Sequence, residues 1–532
     1  LGYRVSEVPS KIVPASTTGT KIEAKLYPVQ KNRTYCARSL GCHVEGFANP
    51  AVDTNDPSTV VHGIQCRFVA APPPVSRKAL LPLKNFVAMM LRKYLKPLGP
   101  DVDLSYDNWL NHTHYSNERR GQLRRNWTEG SLHLPSAREC KCKSFIKTES
   151  YPTYKAARAI NARTDYFKNF SGPYFKAIEN EVFKLPFFVK HIPINQRAAY
   201  IKSRIHAAGA NYYCTDFSSF ESLFTPDILH AIEFQLYEYM LPNHRNVVCF
   251  IKKVLGGINQ CRFRNHKVSI PGKRMTGEMA TSLGNGFTNW ILCSYLCHCH
   301  ESECVGVFEG DDGIFRVNGD YVPSIADFEK LGWRIKIDTV RDFSEASFCG
   351  LIADEVDLQT ITDPVRALLN FGWTSSTMMN SKPGKLLGLL RSKALSLKAE
   401  YPACPMLTAL ADRFIYLTQG TKAYYDNNSW YGRMKRARDH HEFKNIESSS
   451  KISIPITDRT RNLFERKFHV SRAQQLEMEA YFATLELNMP LKHPTLRLII
   501  DSDVADFRNI HRADYFHRYV CELPRGSLHD LE

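Results

Sequence analysis

Two adjacent carboxylates lie between two apolar, strand-like runs in Val307-Phe-Glu-Gly-Asp311-Asp312-Gly-Ile-Phe315, and no other short stretch restricts the fold as much. The four residues Gly310 to Gly313 fit a tight hairpin turn, because glycine supplies the backbone conformations such turns demand. Asp-Gly is common hairpin punctuation, so the turn alone is compatible with a purely structural role. A third acid adds weight: Asp216 closes another strand-like run, Tyr212-Tyr-Cys-Thr215. Clustered carboxylates repel one another unless a cation lies between them, and hard oxygen donors suit Mg2+ or Mn2+. Two such ions can stabilise the attacking and leaving oxygens of an in-line phosphoryl displacement. For the acids alone, metal-dependent chemistry and turn-and-cap duty both stay open.

The chain of 532 residues is too long for one small domain, and 43% hydrophobic with 11% aromatic residues excludes disorder and low-complexity architectures. Seventy Lys and Arg against 54 Asp and Glu give a net charge of +16. That excess points to a polyanionic partner, nucleic acid first and an acidic membrane surface second, though a merely soluble basic protein has the same arithmetic. Fifteen scattered cysteines do not make a disulfide framework and suit reduced thiols in a cytosolic compartment. The first residues, Leu1-Gly-Tyr-Arg-Val, lack a signal-peptide core, and the absence of a leading Met suggests a processed, readthrough or excised product. The stretch Met279 to His300 holds no Asp, Glu, Lys or Arg, but Thr281, Ser282, Asn285, Thr288 and Asn289 make it a buried helix rather than a membrane span.

There is no repeat and no long flexible linker, so the parts are expected to pack as one body. Residues 1–75 suggest short strands and loops, and Leu83 to Leu95 a helix ended by Pro97. Basic segments follow at Arg119–Arg125 and at Arg138–Arg163, the second with seven Lys and Arg against two Glu. A helix starts at Pro226 with Thr225 as its cap; further helices are expected over 282–298 and near 324–331, with strands through Trp333–Ile337 and a hairpin within 347–362. Beyond Pro364 the texture is helical with basic faces. This order implies an α+β chain with a small mixed sheet backed by helices.

Asp216-Phe-Ser-Ser-Phe-Glu221, Thr276-Gly277-Glu-Met-Ala-Thr281-Ser-Leu-Gly-Asn285 and Gly310-Asp311-Asp312 occur in that order. Phe145-Ile-Lys147-Thr-Glu149, Lys155-Ala-Ala-Arg158 and Arg163 precede them, and Lys336 and Phe348-Cys349-Gly350 follow. As a set, these motifs resemble the viral RNA-dependent RNA polymerases of positive-strand RNA viruses, the tombusvirus-like (carmovirus supergroup) branch in particular, over about residues 115–353. The second acid of the first motif is usually Asp in that family and is Glu221 here, which leaves open whether Glu221 or Asn285 dominates recognition of the ribose 2′-hydroxyl.

The resemblance implies a right-hand polymerase with a small antiparallel palm sheet. Its parts would be an N-terminal extension and fingertips over 1–90, fingers over 91–205, palm over 206–240, a fingers insertion over 241–273, the rest of the palm over 274–363, and a thumb over 364–532. It implies two Mg2+ (or Mn2+) ions at Asp216 and Asp311 with Asp312 more peripheral, and Lys336 as proton donor to the leaving pyrophosphate. Triphosphate and ribose contacts would come from Lys147, Lys155, Arg158, Arg163, Glu221, Thr276, Thr281 and Asn285. Gly277 would flex against the template, and Phe348, Cys349 and Gly350 would grip the growing strand. The implied partners are RNA template and product and ribonucleoside triphosphates. The related viruses suggest primer-independent initiation, and replication in the host cytoplasm at membrane-associated complexes, with viral proteins or an anchor supplied from outside this chain.

Three rivals stand against this expectation. A reverse transcriptase carries an aromatic residue where Glu309 stands, and an aromatic steric gate where Glu221 stands. A nonenzymatic RNA-binding protein accounts for the charge but not for three spaced acids. A two-metal nuclease has no need of the Thr/Asn helix. Cys297, Cys299, His300 and Cys304 offer zinc-type ligands without a convincing four-ligand pattern, which favours core thiols. Sequons at Asn32, Asn111 and Asn126 carry no weight in a cytosolic setting.

Overall fold

The acid-bearing strands lie side by side in a four-stranded antiparallel sheet. This is seen in a computed structural model, which describes residues 2–3, 13–24, 37–47, 51–52, 54, 56–113, 115–127, 139–147, 149, 155–375, 378, 381–424 and 453–503. Asn32 and parts of the basic segment 138–163 lie outside the described residues. In chain order the strands are β1 (Lys21–Ala24), β2 (Lys141–Ile146), β3 (Ala159–Arg163), β4 (Tyr212–Phe217), β5 (Ile258–Arg262), β6 (His266–Pro271), β7 (Glu303–Glu309), β8 (Asp312–Asn318) and β9 (Ile335–Val340). The four-stranded sheet has the order β7-β8-β4-β9. A five-stranded sheet has the order β1-β6-β5-β2-β3, with only β2 and β5 parallel.

Side chains alternate across each strand, and the four-stranded sheet is covered on both sides. Tyr213, Phe217, Phe308 and Phe315 join the main core, while Tyr212, Cys214, Val307 and Ile314 join a smaller cluster with Ile201, Ile205 and Phe343. Helices that fill the main core include α1 (Arg77–Tyr94), α2 (Asp165–Val182) and α3 (Thr281–Cys299), together with those over residues 226–256. Every residue of α3 from Leu283 to Cys297 is buried, which explains the absence of charge: this helix has no solvent face on which a charge could sit. Among the described residues no helix is long and apolar enough to cross a membrane.

Several elements differ from expectation. The helix anticipated from Leu83 begins at Arg77, where the Ser76 hydroxyl accepts from the Ala79 N–H, and it carries Pro82 inside. Apolar spacing marks where a helix starts to be buried, not where its backbone starts to coil. Residues 1–75 are not all strands and loops: Asp56 caps a helix over Pro57–Gly63 that runs into a π-helical turn over Ile64–Phe68. The helix starting at Pro226 breaks at Ile232 (φ −119°, ψ −77°) and resumes over Glu233–Met240. The hairpin within 347–362 is two short pairings, Phe348 with Leu351 and Ile352–Ala353 with Thr360–Ile361.

From Pro364 onward, six helices among the described residues surround their own core, which includes Leu390, Phe414, Phe464 and Phe482. Leu40, Cys42, Val44 and Phe47 from the N-terminal region insert into that core. Ala37–Ser39 also pairs antiparallel with Trp373–Ser375. The N-terminal stretch therefore belongs to both the five-stranded sheet and the C-terminal helical body.

Candidate active site

Glu309 and Asp312 are the last directly paired residues of β7 and β8, so Gly310 and Asp311 form a two-residue hairpin turn. Gly310 has φ 63° while Asp311 stays at negative φ, the pattern of a II′ rather than a I′ turn. The Asn289 side-chain amide on α3 donates to the Gly310 carbonyl at 3.3 Å and fixes the turn from below. Glu309 is clamped by Lys190 at 3.5 Å and Arg197 at 2.9 Å. On the neighbouring strand Thr215 Oγ1 donates to the Gly313 carbonyl at 3.2 Å. A Cβ on Gly313 would stand 2.7 Å from that hydroxyl, so close packing of β4 against β8 requires glycine.

This arrangement brings Asp216 to the same end of the sheet as Asp311 and Asp312. Burial, followed by the charges of Glu221 and Asp312, pushes the Asp311 carboxyl up to about 6. Burial likewise raises Asp312, with Asp216 and Glu309 adding to it against a hydrogen bond from the Cys349 thiol. Glu221 lies on the turn Phe220–Leu223 and accepts from Asn285 Nδ2 at 3.3 Å. Half-buried Asp311 and Asp312, whose affinity for protons is raised by burial and by neighbouring carboxylates, belong to a donor set short of positive charge, and their hard oxygens fit a divalent cation. Among the described residues, however, no three acidic, Cys or His side chains stand close enough together to hold an ion by themselves. Water and substrate oxygens would have to complete the coordination.

A small cleft beside the acids is lined by Arg67, Arg158, Ser219, Glu221, Ser222 and Thr276. Lys155 feels Asp216, Lys336, Arg67 and Arg366; burial and the neighbouring cations lower its pKa. Lys336 is exposed on β9, in register with Asp216. Lys147 pairs with Glu149, which also stands 3.6 Å from Arg158. The Thr276 carbonyl accepts from the Asn161 N–H at 2.7 Å, which joins its loop to the edge of β3. Gly277 in that loop has φ 95°. Phe348 is buried, whereas Cys349 (φ 53°) and Gly350 (φ 76°) form an exposed turn beside Asp312. A larger cavity among the helices of residues 226–256, lined by His230, Leu241, Arg245 and Cys249, contains none of these residues.

Two expected nucleotide contacts are turned elsewhere. Arg163 points to the inner face of β3, where its fully buried guanidinium donates to Glu278 at 2.9 Å; in this position it cannot touch a triphosphate. The Thr281 hydroxyl donates to the carbonyls of Met275 (3.2 Å) and Glu278 (2.9 Å), locking its own loop instead of facing the cleft. Of the possible zinc ligands, Cys297 and Cys304 are neighbouring thiols, while the His300 ring stacks on Tyr321 at 4.2 Å.

A buried ionic network lies under the Thr276-Gly277 loop, with no local signal in the residues that form it. Arg274 bonds Glu233 and reaches Glu278 at 3.4 Å, and Glu278 also binds Arg163; all four side chains have 0% or 1% exposure. Arg67 was equally hidden, since nothing in residues 1–75 marked a cation destined for the cleft.

Residues 177–358, which carry the four-stranded sheet, α3 and all three acids, match the family model described as viral RNA-dependent RNA polymerase. That family implies RNA-directed RNA polymerase activity, with an RNA template and nucleoside triphosphates as substrates. No curated protein matches the chain.

Proposed function

We propose that the chain extends RNA on an RNA template by a two-metal nucleotidyl transfer, with the four-stranded sheet as the palm of a right-hand polymerase. The observation that carries this reading is the convergence of Asp216, Asp311, Asp312 and Glu221 beside a cleft lined by Arg158 and Thr276. Asp216 and Asp311 would hold two Mg2+ or Mn2+ ions, with Asp312 peripheral. When bound, such ions lower the pKa of a 3′-hydroxyl and neutralise the triphosphate. Arg158, Lys155 and Arg67 supply positive charge to the triphosphate, and the planar guanidinium of Arg158 suits two phosphate oxygens at once. Glu221, oriented by Asn285, supports selection of the ribose 2′-hydroxyl. Lys336, across the strand pair from Asp216, is positioned to give a proton to the leaving pyrophosphate.

In this reading the five-stranded sheet belongs to the fingers, and the C-terminal helices form the thumb. Initiation is primer-independent, the affiliation is tombusvirus-like, and the chain works at membrane-associated replication complexes in the host cytoplasm through a segment or partner outside itself. The test is Mg2+-dependent incorporation on an RNA template with ribo- and deoxyribonucleotides compared. Asp311→Ala is expected to abolish incorporation, and full activity in that variant would remove the assigned catalytic centre. A separate Asn285→Ala variant should narrow the preference for ribonucleotides.

A further inference from the structure

The five-stranded sheet has two unlike faces. Cys142, Ile146, Ala159, Cys261 and Val268 bury one of them beneath Val60, Ile64 and Phe68. On the other face three cations stand in a row across adjacent strands: Lys143 is in register with Arg262, and Arg262 with Lys267. All three are exposed. Glu23 on β1 approaches Lys267 at 3.8 Å, but Lys143 and Arg262 have no carboxylate partner among the described residues. Lys21 is exposed on the same edge strand, opposite Ser269. Like charges directly opposite each other destabilise a sheet, so folding does not account for this row. A ligand with repeated negative charge does.

The face also carries a stacking surface and leads somewhere. Phe145, two residues along β2 from Lys143, is 50% exposed and sits opposite Ile160 on β3. Ile160 Cγ2 lies only 3.0 Å from where a Cβ on Gly277 would stand, and Thr276 is hydrogen-bonded to the edge of β3. The open face is therefore continuous with the loop that borders the acidic cleft.

We infer that this face is a track for single-stranded RNA. Lys143, Arg262, Lys267 and Lys21 take successive phosphates, Phe145 stacks on a base, and the step from Ile160 to Gly277 delivers the strand to the cleft. Cations that follow the backbone, combined with a sequence-tolerant aromatic platform, are what an unpaired strand requires. A membrane surface is the poorer match. The other exposed apolar residue on this face, Ile258, is about 20 Å from Phe145 along the parallel strands, on the far side of the cation row, so the two make no common patch for insertion. The inference rests on the polymerase reading only for the direction in which the strand runs; the affinity itself does not depend on catalysis.

The test is fluorescence anisotropy of a labelled oligouridine over a salt series. The triple variant K143Q/R262Q/K267Q is expected to flatten the slope of log affinity against log salt by about 2, since each phosphate contact on a single strand contributes roughly 0.7. Phe145→Ala should lower affinity about tenfold while leaving the slope unchanged. The triple variant should melt no lower than wild type, because mutual repulsion has been removed. Wild-type affinity and slope in the triple variant would overturn the track. So would loss of binding to phosphatidylserine vesicles with RNA binding intact. Asp311→Ala, tested in parallel, keeps the slope while losing incorporation, so failure of the catalytic reading is distinguishable from failure of the track.

Discussion

Arg274→Met cuts the buried network at its centre. In wild type, two guanidinium groups and two carboxylates with almost no exposure balance one another. Removing Arg274 strands Glu233, whose remaining partner is the Tyr237 hydroxyl, and leaves Glu278 with Arg163 and the Met275 N–H. Breaking a buried pair from one side costs about 3–5 kcal/mol, because a desolvated charge is left without its counterion. That is a large share of the roughly 5–15 kcal/mol that hold a typical domain together. The network also has slack: among the described residues, both terminal nitrogens of Arg163 and the Nε of Arg274 have no hydrogen-bond partner. Arg274→Met/Glu233→Leu, which removes a whole pair, should therefore recover most of the loss. Urea denaturation followed by circular dichroism would measure both variants. A single variant within about 1 kcal/mol of wild type, or a double variant no better than the single, would refute the reasoning. Arg274 and Glu278 flank Thr276 and Gly277, so the single variant should also incorporate nucleotides more slowly under conditions where it is still folded.

Asp311→Asn should be more stable than wild type at pH 7 by about 2 kcal/mol, after allowing for partial solvent screening of a carboxyl pushed up to about 6. The sign follows from the raised pKa: ionising Asp311 costs stability in the folded state as pH rises from about 4 through 6, so the advantage should vanish in melts below pH 4. Lys273 is buried against the carbonyls of Ala70 and Ser222, and burial with Arg334 nearby lowers its pKa to about 7. The unfolded chain binds that proton more tightly, so wild-type stability should rise with pH between about 7 and 10, and Lys273→Met should remove that contribution. Gly284→Ala would put a Cβ 2.3 Å from Arg274 Nη2 and 2.6 Å from Glu233 Oε2. Overpacking against so constrained a pair should cost about 1–3 kcal/mol, visible as a lower denaturation midpoint.

The acidic turn was legible because its evidence is local. Apolar runs on both sides specify paired strands, and glycines bracket the carboxylates, so Asp311 could be placed without knowing what packs around it. The same holds for α3, whose lack of charge is a direct consequence of burial on every side. Arg163 was misjudged because a basic run looks solvated in sequence, whereas strand parity decides: Arg163 shares a face with Ala159 and Asn161, and that face points inward. Glu233 has no local signature at all, since its burial depends on Arg274, 41 residues away. The helix over Pro57–Gly63 was hidden by Thr and Val, whose preference for strands was overridden by the Asp56 cap and by Pro57 at the first turn.

The N-terminal stretch that belongs to both the five-stranded sheet and the helical body acts mechanically as a tether. From Ala24 to Ala37 the chain can span at most about 45 Å when fully drawn out. The two bodies can separate no further than that while both ends hold. At the helical end the stretch is held by the ladder of three residue pairs between Ala37–Ser39 and Trp373–Ser375 and by Leu40, Cys42, Val44 and Phe47 in the core, whereas Lys21–Ala24 is a largely exposed edge strand. Any wider opening must first free one end, either by stripping Lys21–Ala24 from β6 or by unzipping the ladder and drawing Leu40 and Val44 out of the helical core. The strength of the edge pairing between Lys21–Ala24 and β6 therefore limits how far the sheet and the helical body can part.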